Sequence, residues 1–493
     1  MPLQLVPGAR MIAAMTHDLV IRNGTIVTAQ RSFAADMAIS GGRIAEIGPG
    51  LHGATEIDAT DLLVMPGGVD PHCHIEQMSG MGQWNADSFE TATKSAAMGG
   101  TTSVISFAAQ QHGQRLHDVV ADYAMRAIRG AMVDHAFHLT IADTSVDGFE
   151  DDLTALIAAG HRSIKVFTTY NVALSDADIL RVMALARRAG ALVCVHAEND
   201  GLIQWTKSAL LDAGLTRPEH HACSHPRMAE VEAVERMCRF SEYLDQPVML
   251  FHISTREGAA AVRAARARGV PVWAETCPHY LLMTEDVLHR DGLEGAKWMC
   301  SPPQRSVDDQ LALWQALTDG DLQVISSDHA PYRFDETGKL AAGPNARFDQ
   351  IANGLPGLET RLPLLFDAMI SQHGMRPETF VRLTSAAPAQ IYGLPRKGDL
   401  APGFDADITL WDAGKVVTYT ENDLHDNVGY NPWAGRKVTG WPVMTFLRGK
   451  CVVDDGTFLG AAGQGRWIDR PELAVKPNGS PAPEVAFLER AGQ

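Results

Sequence analysis

The sequence predicts an α/β protein, a (β/α)₈ TIM barrel with a small β-sandwich domain formed by the N- and C-terminal segments. Short apolar runs rich in β-branched residues alternate with segments of helical period, a pattern typical of parallel βαβ units. The two ends of the chain instead carry short alternating strands with Gly, Asn and Asp turns. The 493 residues are enough for a barrel and a second domain, since a barrel alone takes about 250 residues.

The two ends of the chain are predicted to form one antiparallel module. Alternating stretches interrupted by turn residues occur at 18–28, 36–48, 404–412 and 442–453. Asn23-Gly24 and Gly41-Gly42 predict hairpin turns within the first two stretches. We therefore expect the following division of the chain: 1–16, a flexible N-terminal extension; 17–64 and 396–466, the sandwich; 65–395, the barrel; and 467–493, a C-terminal arm on the surface or on a neighbouring subunit.

The barrel prediction comes from eight apolar runs. These candidate strands are 62–74, 102–109, 135–142, 163–170, 192–198, 248–254, 272–277 and 323–330. Three of the helices predicted between them have clear limits or an amphipathic pattern: 88–98, 176–190 and 230–244. The first opens on Ser88 and the second ends at Gly190, the residue types that cap helices at these positions.

Composition and charge exclude several classes of partner. The net charge is −17, and such an acidic surface repels phosphate backbones, so we expect no nucleic-acid partner. No apolar run reaches the length of about 18–20 residues that a membrane span needs. The seven cysteines include no CxxC pair, which argues against a disulfide framework and favours the reducing cytoplasm.

Metal-ligand residue types recur where the predicted strands end, the end of a barrel that carries active sites. The residues at or near these ends are His72, His74, Lys165, His196, His252 and Asp328. Taken singly, a histidine there is more often a hydrogen-bonded rim residue, Lys165 could extend to the barrel mouth, and Asp328 could cap a helix. Their joint occurrence favours a metal site. His72 and His74 also lie two residues apart, so a strand directs both imidazoles to one face.

The types of ligand indicate the chemistry. Histidine nitrogens with one carboxylate suit Zn²⁺, with Mn²⁺ or Co²⁺ as alternatives. A metal-bound water has a pKa of about 7, and two metals about 4 Å apart can clamp the resulting hydroxide and polarise a carbonyl. Four histidines and one aspartate are few ligands for two cations. Lys165 is the candidate for a bridging anion, since a buried neutral amine can add CO₂ to form a carbamate.

Nine motifs together make the chain resemble the dihydropyrimidinase/D-hydantoinase family of the amidohydrolase superfamily, the cyclic amidohydrolases. The resemblance runs from about Asp18 to Trp467. The motifs are "GGVDPHCH" (67–74), "GGTTSVISF" (99–107), "SIKVFTTY" (163–170), "VHAEN" (195–199), "ETCPHYL" (275–281), "CSPPQR" (300–305), "SSDHAPY" (326–332), "NGLPGLE" (353–359) and "YNPWAGRKVTGWP" (430–442).

The resemblance implies a role for each site residue. His72, His74, N6-carboxylated Lys165 and Asp328 would hold one metal, and carboxylated Lys165, His196 and His252 the other. Asp328 would take a proton from the bridging hydroxide and pass it to the leaving nitrogen. Tyr170 would stabilise the oxyanion, while Ser301 and Asn353 would anchor the ring. Taken without the resemblance, Ser301 and Asn353 are ordinary turn residues. A homotetramer is also implied.

The segment after the histidine pair, 75–84, departs from family members that accept aromatic substituents. It reads "IEQMSGMGQW", where those members usually carry an aspartate and a bulky Pro-Phe stretch. Met78 and Met81 could line an adaptable pocket or simply pack the loop. The resemblance therefore leaves the preferred ring substituent open.

Several alternatives remain. Dihydroorotases place an arginine where this chain has Glu76, which would repel an acid group. Allantoinases are closer, but the contexts of 163–170 and 300–305 favour hydantoinases. A cyclic imide or lactam hydrolase would use the same metal chemistry. A non-catalytic scaffold of the same fold is disfavoured because all six ligand positions are intact. We thus expect a hydrolase that converts dihydropyrimidines or 5-substituted hydantoins into N-carbamoyl amino acids.

Overall fold

The computed structural model describes residues 17–79 and 81–485. The expected N-terminal extension, 1–16, and the last eight residues of the expected C-terminal arm lie outside the described residues. Within the described part the strands, β1 to β19 in chain order, are His17–Arg22, Thr25–Val27, Ser32–Ala34, Asp36–Ser40, Arg43–Gly48, Gly53–Asp58, Leu63–Pro66, Gly68–Cys73, Thr101–Ala109, Asp134–Thr140, Ser163–Phe167, Leu192–His196, Val248–Leu250, Val272–Thr276, Val324–Ile325, Ile408–Thr418, Lys437–Leu447, Lys450–Asp454 and Thr457–Phe458.

Helices fill the intervals between the strands. The α-helices of the described part, α1 to α13 in chain order, are Phe89–Met98, Leu116–Gly130, Phe149–Ala158, Asp176–Ala189, Asp200–Asp212, His221–Ser224, Arg227–Leu244, Arg256–Ala267, Pro278–Leu282, Val307–Asp319, Arg361–Phe366, Pro377–Val381 and Ala387–Ile391. Short 3₁₀ segments lie at Pro218–His220, Glu285–Leu288, Glu294–Trp298 and Phe348–Gln350, and π-helical turns at Asp367–Gln372 and Arg382–Ala386. The predicted limits of α1 and α4 are confirmed: the Ser88 side chain caps α1, and Gly190 ends α4 in a left-handed conformation.

The predicted barrel is confirmed. The eight strands β8 to β15 form one parallel sheet in sequence order. It closes after β15, where Cys73 of β8 pairs in parallel with His329 and the His74 N–H donates to the His329 carbonyl at 2.7 Å. The candidate strand 62–74 is two strands in the structure. Its first half, β7, pairs with β16 and β2, and only β8 enters the barrel.

The sandwich also combines both ends of the chain, as predicted. One sheet has the order β5-β4-β1-β6, and the other, β19-β18-β17-β16-β7-β2-β3, joins N-terminal and C-terminal strands. Apolar residues of both sheets share one core, among them Ile21, Ile39, Ile408 and Phe446.

One of the two predicted hairpins is wrong. Asn23 does turn, with φ of 63°, but β1 pairs with β4 and β6 while β2 pairs with β3 and β7, so the strands on either side enter different sheets. The Gly41-Gly42 turn does join two antiparallel partners, β4 and β5.

The segment after the sandwich packs against the chain's own barrel. Ile468 and Leu473 join the apolar interior of the barrel. Arg470 is fully buried, and its guanidinium donates to the Ser163 hydroxyl at 2.9 Å and to the Phe137 carbonyl at 2.6 Å. This segment therefore closes the end of the barrel opposite the predicted site.

No helix within 17–79 and 81–485 is long and apolar enough to cross a membrane. The seven cysteines are free thiols.

Candidate active site

A cavity of 580 Å³ lies at the carboxyl ends of the barrel strands. Every residue predicted for the site lines it: His72, His74, Lys165, Tyr170, His196, His252, Ser301, Asp328 and Asn353. They come from seven separate parts of the chain, and the barrel topology brings them together because all parallel strands end at the same rim.

Three of the predicted ligands form a compact donor group. Asp328 Oδ1 lies 3.0 Å from His72 Nε2 and 3.4 Å from His74 Nε2, and the ligand atoms of the three residues lie within 4.8 Å of one another. The other ring nitrogen of each histidine is hydrogen-bonded. His72 Nδ1 lies 2.5 Å from a carboxylate oxygen of Glu275, and His74 Nδ1 lies 2.8 Å from the side-chain oxygen of Gln77. Such polar partners orient metal-binding histidines, so this group fits a divalent cation.

Asp328 and His72 shift each other's pKa in opposite directions. Burial alone would raise the pKa of Asp328, but the charge of His72 and hydrogen bonds from His72 and His74 hold it well below its ordinary value. Burial would lower the pKa of His72, but the carboxylates of Asp328 and Glu275 raise it to about 9. A buried carboxylate that stays ionised beside two imidazoles is suited to bind a cation or accept a proton.

The other predicted ligands lie beside this group. The rings of His196 and His252 are 4.5 Å apart, and the ring of His252 is 5.5 Å from that of His72. His196 Nε2 is bonded to Glu198 at 2.8 Å, which leaves Nδ1 for a ligand. His252 Nδ1 is buried with no hydrogen-bond partner among the described residues. An unpartnered buried nitrogen is costly, so this atom also fits a metal.

Lys165 is buried in an aromatic environment. Its amine lies 4.0 Å from the centre of the Phe251 ring and 4.6 Å from that of Phe167. Burial lowers the pKa of Lys165 to about 7, against the opposing effect of Asp328. A substantial fraction of this amine is therefore uncharged near neutral pH, the form that reacts with CO₂.

Three site residues have a left-handed backbone, which is uncommon outside glycine. The φ angles are 71° at Tyr170, 40° at His252 and 46° at Asp328. Each follows a barrel strand, at the point where the chain turns out of the sheet. Strained backbone of this kind concentrates at functional sites.

Tyr170 lies beside the two predicted substrate-binding residues. Burial raises the pKa of Tyr170, and the side chains of Ser301 and Asn353 act against that rise without cancelling it. The phenol therefore remains protonated and able to donate a hydrogen bond at neutral pH.

Sequence reasoning missed the carboxylates that hold the histidines. Glu275 bonds His72, and Glu198 bonds both His196 and, at 2.9 Å, His225. Both glutamates are fully buried at strand ends. Their positions within the quoted motifs "ETCPHYL" and "VHAEN" were the available signal, since buried glutamates are rare unless paired.

The loop after the histidine pair differs from expectation at Glu76. Its carboxylate accepts from the Phe89 N–H at 3.1 Å and pairs with Arg129 at 3.6 Å. Glu76 thus stabilises the N-terminus of α1 and does not line the cavity. The predicted repulsion of a substrate acid group by Glu76 therefore finds no support. Met78 and Met81 do line the cavity, which favours the pocket interpretation for both.

Known proteins are similar to this chain in fold and sequence over nearly its whole length. The profile described as "Amidohydrolase family" matches residues 63–452. D-hydantoinase of Rhizobium radiobacter is 38% identical over 458 residues, which are 92% of this chain and 99% of that protein. D-hydantoinase of Ralstonia pickettii is 37% identical over 457 residues, with 92% and 99% covered.

Among solved structures, dihydropyrimidinase from Brevibacillus agri NCHU1002 superposes with a TM-score of 0.89 at 36% identity, with 92% of this chain and 99% of that chain covered. L-hydantoinase (dihydropyrimidinase) from Arthrobacter aurescens gives 0.84 at 26% identity, with 92% and 100% covered. The chain therefore belongs to the amidohydrolase family, among its hydantoinase and dihydropyrimidinase relatives.

Proposed function

We propose that this hydrolase opens the cyclic amide bond of dihydropyrimidines or 5-substituted hydantoins to give N-carbamoyl amino acids. The observation that carries the proposal is the convergence of His72, His74, Lys165, His196, His252 and Asp328 on one cavity together with Tyr170, Ser301 and Asn353. Family membership and the hydantoinase and dihydropyrimidinase relatives support the same reaction class.

We infer that the cavity holds two divalent cations, with Zn²⁺ the best match to the donors and Mn²⁺ or Co²⁺ as alternatives. His72, His74, carboxylated Lys165 and Asp328 would hold one, and carboxylated Lys165, His196 and His252 the other. When bound, the pair supplies an activated water near neutral pH and polarises the scissile carbonyl. The carbamate on Lys165 forms when its neutral amine adds CO₂ and releases a proton.

Asp328 is the proposed general base and acid. Its oxygens accept the proton of the attacking water and deliver it to the ring nitrogen as the amide bond breaks. The hydrogen bonds from His72 and His74 position this carboxylate and keep it ionised before attack.

Tyr170 is the proposed oxyanion donor. The phenol would bond the carbonyl oxygen more strongly as its negative charge develops, which lowers the barrier. Ser301 and Asn353 would hold the amide edge of the ring, so that the scissile carbonyl faces Tyr170.

A panel of substrates tests the reaction class. We expect purified protein to open dihydrouracil, hydantoin or a 5-substituted hydantoin, and Asp328→Asn to lose at least about a thousandfold in kcat. Turnover confined to succinimide-type imides, lactams or allantoin would contradict the proposed substrates and favour the alternative, a cyclic imide, lactam or allantoin-type amidohydrolase. A non-catalytic scaffold predicts no turnover of any member.

Two further expectations belong to this proposal. We propose a homotetramer, and the neighbouring exposed side chains of Met125 and Ile128 on α2 support burial between subunits, as do the exposed Trp205 on α5 and Leu311 on α10. Light scattering should give four times the chain mass of 53.3 kDa. We also propose a cytoplasmic location, which the free thiols support.

A further inference from the structure

A second cavity, of 930 Å³, lies at the other end of the barrel, beside the sandwich. Asp134, the first residue of β10, lines it, whereas Thr140, the last residue of the same strand, lines the catalytic cavity. Six steps along a strand span about 20 Å. The two cavities are therefore separate sites on opposite faces of the barrel.

The lining of this second cavity is basic, although the chain as a whole has a net charge of −17. Six of its residues are cationic: Arg43, Arg396, Lys397, Arg448, Lys450 and Arg466. Three are acidic: Asp134, Asp405 and Asp469. The positive charge is thus a local feature that overall composition does not explain.

The carboxylates of Asp134, Asp405 and Asp407, at the base of the cavity, are each paired with a cation. The buried Lys397 amine lies 2.6 Å from Asp134, 2.6 Å from Asp407 and 3.0 Å from Asp405. Arg448 also pairs with Asp134. These carboxylates raise the pKa of Lys397 against the effect of burial, so it stays charged. These pairs reduce the repulsion of an anion by the base of the cavity, and the exposed Asp469 is the lining carboxylate that they do not offset.

The rim carries cations that lack partners of their own. The exposed side chains of Lys450 and Arg466 make no hydrogen bond or ion pair with any residue of the described ranges. Arg396, at 3.2 Å, and Arg43, at 3.9 Å, share the single carboxylate of Asp405, which Lys397 already contacts. A concave surface with several uncompensated cations concentrates the field and attracts anions.

We propose that this cavity binds a small-molecule polyanion carrying linked phosphate groups. Arginine guanidiniums bind phosphate oxygens in pairs, and several converging cations match charge spread over two or more phosphates. The volume lies within the range of about 300–1,000 Å³ usual for small-molecule sites. Arg43 and Lys450 belong to sandwich strands, while Arg466 belongs to the segment that crosses the barrel end, so the ligand bridges these parts of the fold.

Titration calorimetry of the metal-loaded enzyme with inorganic pyrophosphate tests the proposal. We expect saturable binding near physiological ionic strength, about 0.15 M. The double variant Lys450→Gln/Arg466→Gln should weaken binding at least about tenfold, since it removes two charge-assisted contacts to the phosphates. Lys437→Gln is the matched control: Lys437 is an exposed lysine of β17 outside the cavity, and its variant should bind like wild type.

Pyrophosphate also binds metals, so the site of binding must be distinguished. Binding that survives the double variant but disappears in His252→Ala would place the anion at the catalytic centre and overturn the proposal. Absence of saturable binding to wild type, or equal weakening in Lys437→Gln, would overturn it as well. Unchanged kcat for ring opening in the double variant shows that it folds. Tighter binding of ADP than of pyrophosphate would identify the ligand as a nucleotide, and equal binding would show that the phosphates alone are recognised.

Discussion

At the scale of single residues, Lys165 is the position that most separates this site from an ordinary polar rim. A buried lysine surrounded by phenylalanine rings has no structural need for its charge, whereas a carbamate between two groups of histidines has a clear chemical role. Lys165→Ala should therefore lose at least about a thousandfold in kcat/KM.

Short carboxylic acids should partly restore activity to Lys165→Ala, because a carboxylate that diffuses into the space left by the side chain can replace the carbamate. Steady-state assays with acetate or propionate measure the rescue, and wild type should not respond to the same acids. Full activity of Lys165→Ala without added acid would show that the lysine has no bridging role.

Lys339 is a buried residue that sequence reasoning did not single out. Its amine donates to the Ala352 carbonyl at 2.9 Å and to the Met299 carbonyl at 3.3 Å, and these residues lie next to Asn353 and two before Ser301. We expect Lys339→Met to raise KM by about tenfold, the equivalent of one or two lost hydrogen bonds, with a smaller change in kcat. A fall in kcat at constant KM would contradict this positioning role.

The same lysine gives a pH-dependent stability. Burial lowers the pKa of Lys339 to about 7, from about 10.4 in an unfolded chain. Between these values the unfolded chain holds a proton that the folded chain lacks, so stability rises with pH in this window. The Tm of wild type minus that of Lys339→Met should increase between about pH 7.5 and about pH 9.5. A constant or falling difference would show that Lys339 stays charged.

At the scale of elements, the loop between β8 and α1 is the part of the site whose sequence departs from the family members that accept aromatic substituents. Met78 and Met81 line the catalytic cavity on this loop. Met78→Phe should lower kcat/KM about tenfold for hydantoins with a bulky 5-substituent, since added volume costs about 1–3 kcal/mol in a packed site. Unsubstituted hydantoin should be hydrolysed as by wild type, and an equal loss for both substrates would contradict a substituent pocket there.

Individual elements also show which features of the site and the fold could be predicted from the sequence and which could not. The positions of His72, His196, His252 and Asp328 were predictable because a parallel barrel collects its strand ends at one rim. The partners Glu275 and Glu198 were not, because a contact such as that of His72 with Glu275 joins residues 203 positions apart and depends on side-chain orientation. Asn23-Gly24 predicted a turn, yet a dipeptide does not determine which sheet the next strand joins.

At the scale of the whole molecule, the sandwich and the barrel are joined by the chain and by contacts near the second cavity. We propose the division into 17–64 with 396–466, 65–395 and 467–493 as the domain organisation. β7 pairs within the sandwich as far as Pro66, and Arg470 is buried against the barrel, so the proposed units should unfold together. The alternation of helices and strands predicted this architecture, but not the closure of the barrel end by 467–473, since that segment has no periodic pattern.

The central claim is a two-metal hydrolase of cyclic amides. Its most direct test is metal analysis of the purified protein combined with assays on dihydrouracil and hydantoin. We predict about two divalent cations per chain, with ring opening that chelation abolishes and Zn²⁺ with bicarbonate restores. Protein that binds no metal, and remains inactive on both substrates after Zn²⁺ and bicarbonate are supplied, would contradict the claim.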